Sequence, residues 1–231
     1  MIEAARESGA GRDNHGSLPA HEVIYRRLRD LVLFGDLAPG QPVTIQGLSD
    51  RLAAGMTPVR EAIRRLISEG ALEFQGNRRV SVPLLSAANI SELILARQWL
   101  DPHLALRATE RATLEDLARL AKLDEELDIA ITGGDLRAYL ERNYRFHKAI
   151  YQIAEAPILT DIADGLWLRF GPSLRVVCGR IGTRNLPDQH KAALAAMHAH
   201  DAEAAARAIR EDVIQGMEQV RQSLEADQPA H

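Results

Sequence analysis

From Ser86 to the end of the chain the apolar residues recur at helical spacing, and no stretch alternates as a strand would, which restricts this part to packed helices. Ser86 caps a first segment that turns Ile90, Leu93, Ile94, Leu100, Leu104 and Ala105 inward. Thr113 opens a second, through Leu117, Leu120, Leu123 and Leu127, closed by Gly133 and Gly134. Asp135 opens a third, to about Ala154; a fourth covers about 157–181, irregular around Gly165, Gly171 and Pro172. A fifth and a sixth, about 186–200 and 201–225, divide near His200 and Asp201. Six helices of such lengths pack as an antiparallel bundle. Aromatic residues make up only 4% of the chain, so Leu and Ala must fill that core, with Trp99, Trp167 and Cys178 expected inside it. His103, His198 and His200 are expected at the surface or at caps.

Residues 20–85 read differently. Ile24, Leu28, Leu31 and Val32 form the stripe of a first amphipathic helix, stopped by Gly35 and the turn Asp36–Gly40. Thr44 caps a short second helix with Ile45, Leu48 and Leu52 on one face. After the tight connection Ala53–Met56, Thr57 as N-cap and Pro58 as first helical residue start a third, which ends at Gly70. Its inner stripe is Val59, Ala62, Ile63, Leu66 and Ile67, and Arg60, Arg64 and Arg65 lie off that stripe. Leu72, Phe74, Val80 and Val82 then alternate about Gln75–Arg78, the pattern of a hairpin with a basic tip. Three short helices and a basic hairpin make a winged helix-turn-helix, which would insert the third helix into the major groove. The same spacing also fits a small helical domain whose arginines are merely solvated.

The charge is uneven. The whole chain carries −4, yet residues 20–85 hold nine Arg against seven acidic residues, while residues 86–231 hold 17 basic and 22 acidic. Arginine suits phosphate and guanine. The single cysteine, Cys178, excludes an internal disulfide, and no apolar run reaches membrane-spanning length. Residues 1–19 lack the apolar stretch of a signal peptide and read as a disordered leader on a cytoplasmic protein.

From Val23 to Val82 the chain resembles the GntR family of bacterial transcription regulators. The resemblance rests on Pro39-Gly40, on Leu48-Ser49-Asp50-Arg51-Leu52, and above all on Thr57-Pro58-Val59-Arg60-Glu61-Ala62-Ile63, followed by Leu66 and Glu69-Gly70. It implies that Gln46, Met56, Thr57, Arg60 and Arg64 face double-stranded operator DNA, with Arg78 and Arg79 on the wing. The family has Ser-Arg before this Thr-Pro; Gly55-Met56 stand there instead, and a thioether cannot donate to a guanine edge.

The helical half, through Arg97–Ala108, Phe146-His147-Lys148-Ala149-Ile150, His190 and the helix from Asp201, resembles the ligand-sensing FCD domain of the FadR subfamily. Six helices suggest its shorter, VanR-like branch. The resemblance implies a metal in the bundle centre, held by an Asp-x3-His pair and two later His. Here those positions read Asn143, His147, His190 and Asp212, so two ligand types are kept and two exchanged. Imidazole and carboxylate suit zinc, nickel or manganese, and Asp212 restores the charge that Asn143 lacks. The bland alternative is a set of buried polar residues without metal. Arg97 stands either to pair with an acidic effector or to bridge Asp101 one turn on.

The expected architecture is mainly α: a leader at 1–19, a winged helix-turn-helix at 20–84, and an antiparallel six-helix FCD bundle at 85–226. The expected role is a homodimeric transcription regulator on a palindromic operator, controlled by a small carboxylate metabolite bound in the bundle. A metal-dependent enzyme built on the same four residues is the rival, although nothing else in the chain supplies a nucleophile or an acid/base pair. A regulator whose bundle only dimerises is a second.

Overall fold

Ile24, Leu28 and Val32 bury one face of α1 (Ala20–Leu33), and that face packs on α3 (Met56–Ser68). The coordinates come from a computed structural model that describes residues 18–75, 79–181 and 189–226. The expected leader, apart from its last residues, and Arg78 at the hairpin tip lie outside the described residues.

Gly35, in the left-handed region at φ 67°, ends α1 as the sequence indicates. Thr44 caps α2 (Ile45–Leu52): its hydroxyl accepts from the Gly47 amide at 3.1 Å. The start of α3 differs from expectation. The helix begins at Met56 with Gly55 as N-cap, so Thr57 sits inside its first turn rather than ahead of it, and Pro58 is its third residue rather than its first. Proline is tolerated there because the amide it lacks has no intrahelical partner in any case. The hairpin strands β2 (Glu73–Gln75) and β3 (Arg79–Ser81) pair antiparallel, with Phe74 opposite Val80. On the other side β3 pairs with β1 (Pro42–Val43), which gives a three-stranded sheet ordered β1-β3-β2. A two-residue strand is too short to show alternation, so β1 leaves no sequence signal.

Six helices follow among the described residues: α4 (Ala87–Arg111), α5 (Leu114–Gly133), α6 (Leu136–Ile153), α7 (Pro157–Ile181), α8 (Gln189–His198) and α9 (Ala202–Ala226). Reciprocal capping boxes start α4 (Ser86 with Asn89) and α5 (Thr113 with Asp116). Asp135 caps α6, Gly134 ends α5 at φ 70°, and His200 turns the chain at φ 54° between α8 and α9. Helix α4 packs along α9, and α5 lies against α6. Leu104, Phe146, Ile150, Tyr151 and Ile209 are fully buried at the centre.

Trp99 departs from expectation: it is 63% exposed on α4, whereas Trp167 is buried. The inward face of α4 runs through Leu93, Arg97, Asp101 and Leu104, so residues 95, 99 and 103 point away from it. The inward choice of Arg97 and Asp101 over Leu95 and Trp99 is therefore polar: the two pair with each other inside the bundle.

The two halves share one apolar core. Helix α1 lies on α7, where a Cβ on Gly171 would overlap the Leu33 carbonyl oxygen, so only glycine allows the two backbones to meet. Arg137 pairs with Asp36, and Arg175 donates to the Phe34 carbonyl at 3.3 Å. Among the described residues no helix is long and apolar enough to cross a membrane.

Candidate functional sites

The first candidate site is the outer face of α3. Burying Val59, Ala62, Ile63 and Leu66 leaves Arg60, Arg64 and Arg65 on the opposite side. The three are not equivalent. Arg65 donates to Glu22 and Glu69, each at 3.0 Å, and its guanidinium lies 3.5 Å from the Tyr25 ring centroid. Tyr25 in turn donates its hydroxyl to Glu69 at 2.8 Å. Arg65 thus clamps α3 to α1. Arg60 and Arg64 are exposed, and among the described residues neither has a hydrogen bond or ion pair.

Met56, 52% exposed, and Thr57 open the same face. Gln46 is exposed on α2, where its amide donates to Asp50 at 2.8 Å. Arg79 is exposed on β3, and Phe74 stands 66% exposed on the adjoining strand. A helix with two exposed guanidinium groups on one side, beside a strand carrying a third, offers the positive charge and donors that phosphate and base edges require.

The second candidate site is a cavity of about 230 Å³ inside the bundle. Helices α5, α6, α7, α8 and α9 line it through Asp124, Asn143, Trp167, His190 and Asp212, and Arg97 of α4 closes it. His147 and His190 are buried, and the Asp212 carboxylate stands between them. Nε2 of His147 lies 3.0 Å from Asp212 Oδ2, and Nε2 of His190 lies 3.4 Å from Oδ1. Ligand atoms of the three residues lie within 4.8 Å of one another. Burial alone would raise the Asp212 pKa, but the two imidazoles outweigh it and hold the carboxyl down at about 2. Burial lowers the pKa of His147, against the pull of Asp212, and favours the neutral ring that can act as a ligand.

Sequence reasoning named these three together with Asn143; Asn143, His190 and Asp212 line the cavity, and His147 lies behind it against Asp212. That reasoning missed Asp124. This buried carboxylate on α5 lies 3.6 Å from His190 Nδ1, on the side away from Asp212, and Phe146 stacks on the same ring at 4.0 Å. A carboxylate on the outer nitrogen of a ligand histidine fixes ring orientation and tautomer. The signal was legible: Leu117, Leu120, Asp124 and Leu127 share the buried face of α5, and an acid in an apolar stripe needs a partner.

Arg97 is almost fully buried. Its Nε and one terminal nitrogen donate to Asp101 Oδ2 at 2.9 and 2.5 Å, so the i, i+4 bridge forms. Tyr151 donates to the same oxygen at 2.9 Å and accepts from Trp167 Nε1 at 3.0 Å. The guanidinium lies 4.4 Å from the Trp167 ring centroid, and its remaining nitrogen faces Met217. Burial opposes the charge, and Asp101 outweighs it, keeping Arg97 ionised. Arg97 borders the cavity with its charge already matched.

Comparison with known proteins gives the family of each half. Residues 20–82 match the model of the bacterial regulatory proteins of the gntR family, and residues 92–215 match the FCD domain. The HTH-type transcriptional regulator McbR of Escherichia coli K12 is 31% identical over 206 residues, which span 88% of this chain and 92% of McbR. The galactonate operon transcriptional repressor of the same organism is 25% identical over 203 residues, spanning 77% of this chain and 86% of its own length. The solved structure of E. coli McbR/YncC superposes with a TM-score of 0.84 at 29% identity, covering 90% of this chain and 99% of that one. The chain therefore belongs to the GntR family of transcription regulators: it is not an enzyme but a DNA-binding protein of the FadR type, with an FCD effector-binding domain behind its helix-turn-helix.

Proposed function

We propose that the protein is a homodimeric regulator that binds a palindromic operator through residues 20–84 and reads a small carboxylate metabolite in the bundle of residues 85–226. The observation that carries the DNA-binding assignment is the contrast on α3, where Arg65 is locked by Glu22 and Glu69 while Arg60 and Arg64 are left uncommitted. In this reading Arg60 and Thr57 reach base edges, Arg64 and Gln46 approach the strand backbone, and Arg78 and Arg79 extend the wing to phosphate or minor groove. Met56 removes one guanine contact and shifts operator preference. Each chain offers one such helix, and two-fold pairing supplies the second half-site. Acting on DNA, the protein works in the cytoplasm.

In the bundle, the donor set fits a divalent ion. Two buried imidazoles and an ionised carboxylate converge, and Asn143 borders the same cavity as a neutral oxygen donor. His147, His190 and Asp212, with Asn143, would hold zinc, nickel or manganese. Such an ion supplies a Lewis-acidic anchor for a carboxylate. Asp124 keeps His190 turned toward Asp212, Arg97 borders the cavity with its charge matched by Asp101, and Trp167 and Phe170 form the apolar wall.

The test is selection of binding sites from random DNA by the full-length protein, followed by sedimentation with and without the selected site. The reading expects a palindromic consensus and a dimer. A monomer that enriches no sequence would overturn it. Metal analysis of protein dialysed against zinc, nickel or manganese tests the bundle site, with His147→Ala as the variant expected to lose the ion.

A further inference from the structure

The cavity and the DNA-binding unit meet at one side chain. Tyr144 follows Asn143 on α6 and points the other way, out of the cavity wall and toward α1. Its ring makes edge contacts on two sides: with Trp167 at 5.5 Å, which lines the cavity and lies 5.2 Å from His147, and with Phe34 at 6.0 Å, the residue that follows α1. Its hydroxyl donates to Asp164 of α7 at 3.1 Å and accepts from Arg29 of α1 at 3.4 Å. Lys148 pairs with the other Asp164 oxygen. A buried ring is thus held by two groups of the winged unit and two of the bundle.

Helix α7 has the same double allegiance. Trp167 and Phe170 line the cavity, while Arg169, Gly171 and Arg175 lie against Gly70, Leu33 and Gly35 of the winged unit. Close packing transmits displacement: Trp167 cannot shift without moving Tyr144, nor α7 without moving α1. Helix α1 does not absorb that movement, because Tyr25–Glu69, Arg65–Glu22 and the Arg27 bond to the Leu52 carbonyl tie it to α3 and α2. A movement of α1 therefore carries the recognition face with it.

We infer that Tyr144 is the positioning residue that couples the bundle cavity to the DNA-binding unit, through Trp167 on one side and Phe34 with Arg29 on the other. The inference rests on the sensing role proposed for the cavity and names the residue by which its state reaches the recognition helix. By linkage, coupling acts in both directions, so operator binding must be felt at Trp167.

That reciprocity allows a test without a known effector. Trp99 and Trp167 are the only tryptophans, and Trp99 is exposed, so full-length protein with Trp99→Phe reports emission from Trp167 alone. This protein and its Tyr144→Leu variant are titrated with an operator fragment selected by the wild type. The expected result is a change in Trp167 emission that saturates with DNA, and loss of more than half of it in Tyr144→Leu at operator affinity of the same order. Phe34→Leu, a milder change on the α1 side, is expected to weaken the response in the same direction and serves if Tyr144→Leu does not fold. Binding with no response at Trp167, or a full response in both variants, would overturn the coupling role while leaving the regulator assignment standing. Failure of the reference protein to bind any DNA would overturn that assignment and the inference built on it.

Discussion

The winged unit and the bundle use arginine in opposite ways. On α3, Arg60 and Arg64 stand in solvent with no hydrogen bond or ion pair among the described residues, while in the bundle Arg97 is buried against Asp101, Tyr151 and Trp167. A charge intended for a large polyanion must be kept uncommitted, since each bond it makes in the free protein must be broken on binding. A charge that shapes a buried site must be fully matched beforehand, because an unpaired ion in the interior is far more costly than one at the surface. On the function proposed above, the same side chain serves affinity in one half and stability in the other.

Breaking the buried pair gives the largest expected effect. Asp101→Ala leaves the Arg97 guanidinium without its carboxylate, and a loss of about 3–5 kcal/mol in unfolding free energy is expected from urea denaturation. Its counterpart on α3 reverses the pattern: Arg60→Ala should weaken operator binding by about 1–3 kcal/mol and relax specificity at one position. Unfolding of that variant should match wild type, because Arg60 is exposed and has no hydrogen bond or ion pair among the described residues. Equal operator affinity in a gel-shift titration would remove Arg60 from the interface.

His147→Ala separates the two halves by function. It should abolish retention of zinc, nickel or manganese on dialysis, while the metal-free protein still binds operator. Simultaneous loss of DNA binding would mean that the cavity is a folding element of the whole chain. Met56→Arg is expected to move the consensus toward G at one symmetric pair of positions without raising stability. An identical consensus from site selection with both proteins would sink that role. The smallest effect is Gly55→Ser, which supplies the hydroxyl that the cap of α3 lacks and should add only a few tenths of a kcal/mol to unfolding free energy.

What was legible in the sequence divides along similar lines. Ser86, Thr113, Asp135 and Thr44 all cap the helices they were expected to cap, because capping is a local matter of one side chain and the amides just beyond it. The convergence of His147, His190 and Asp212 was legible only by way of the family resemblance, since three helices must cross before those residues meet. Four features of the fold escaped. Trp99 was expected inside on hydrophobicity, yet the buried Arg97–Asp101 pair fixes which face of α4 turns inward. The pairing of β1 with β3 is a long-range match between short segments. The docking of α1 on α7 depends on Gly171, Gly35 and Gly70 as places of close approach, and a glycine in a sequence does not name the residue that will lie against it. Thr57 was expected as a cap because Thr-Pro is a strong start signal, but Gly55 accepts the extended cap conformation two residues earlier.

The central claim is that Arg60 and Arg64 are kept uncommitted in order to neutralise DNA. The most direct measurement is the slope of log operator-binding constant against log salt for wild type and for Arg60→Ala/Arg64→Ala. If Arg64 faces phosphate and Arg60 a base, the double variant should bind more weakly at every salt concentration, with a slope shallower by about one for the lost phosphate contact. Wild-type affinity with an unchanged slope would show that the exposed arginines of α3 are ordinary surface charge and that the recognition face lies elsewhere.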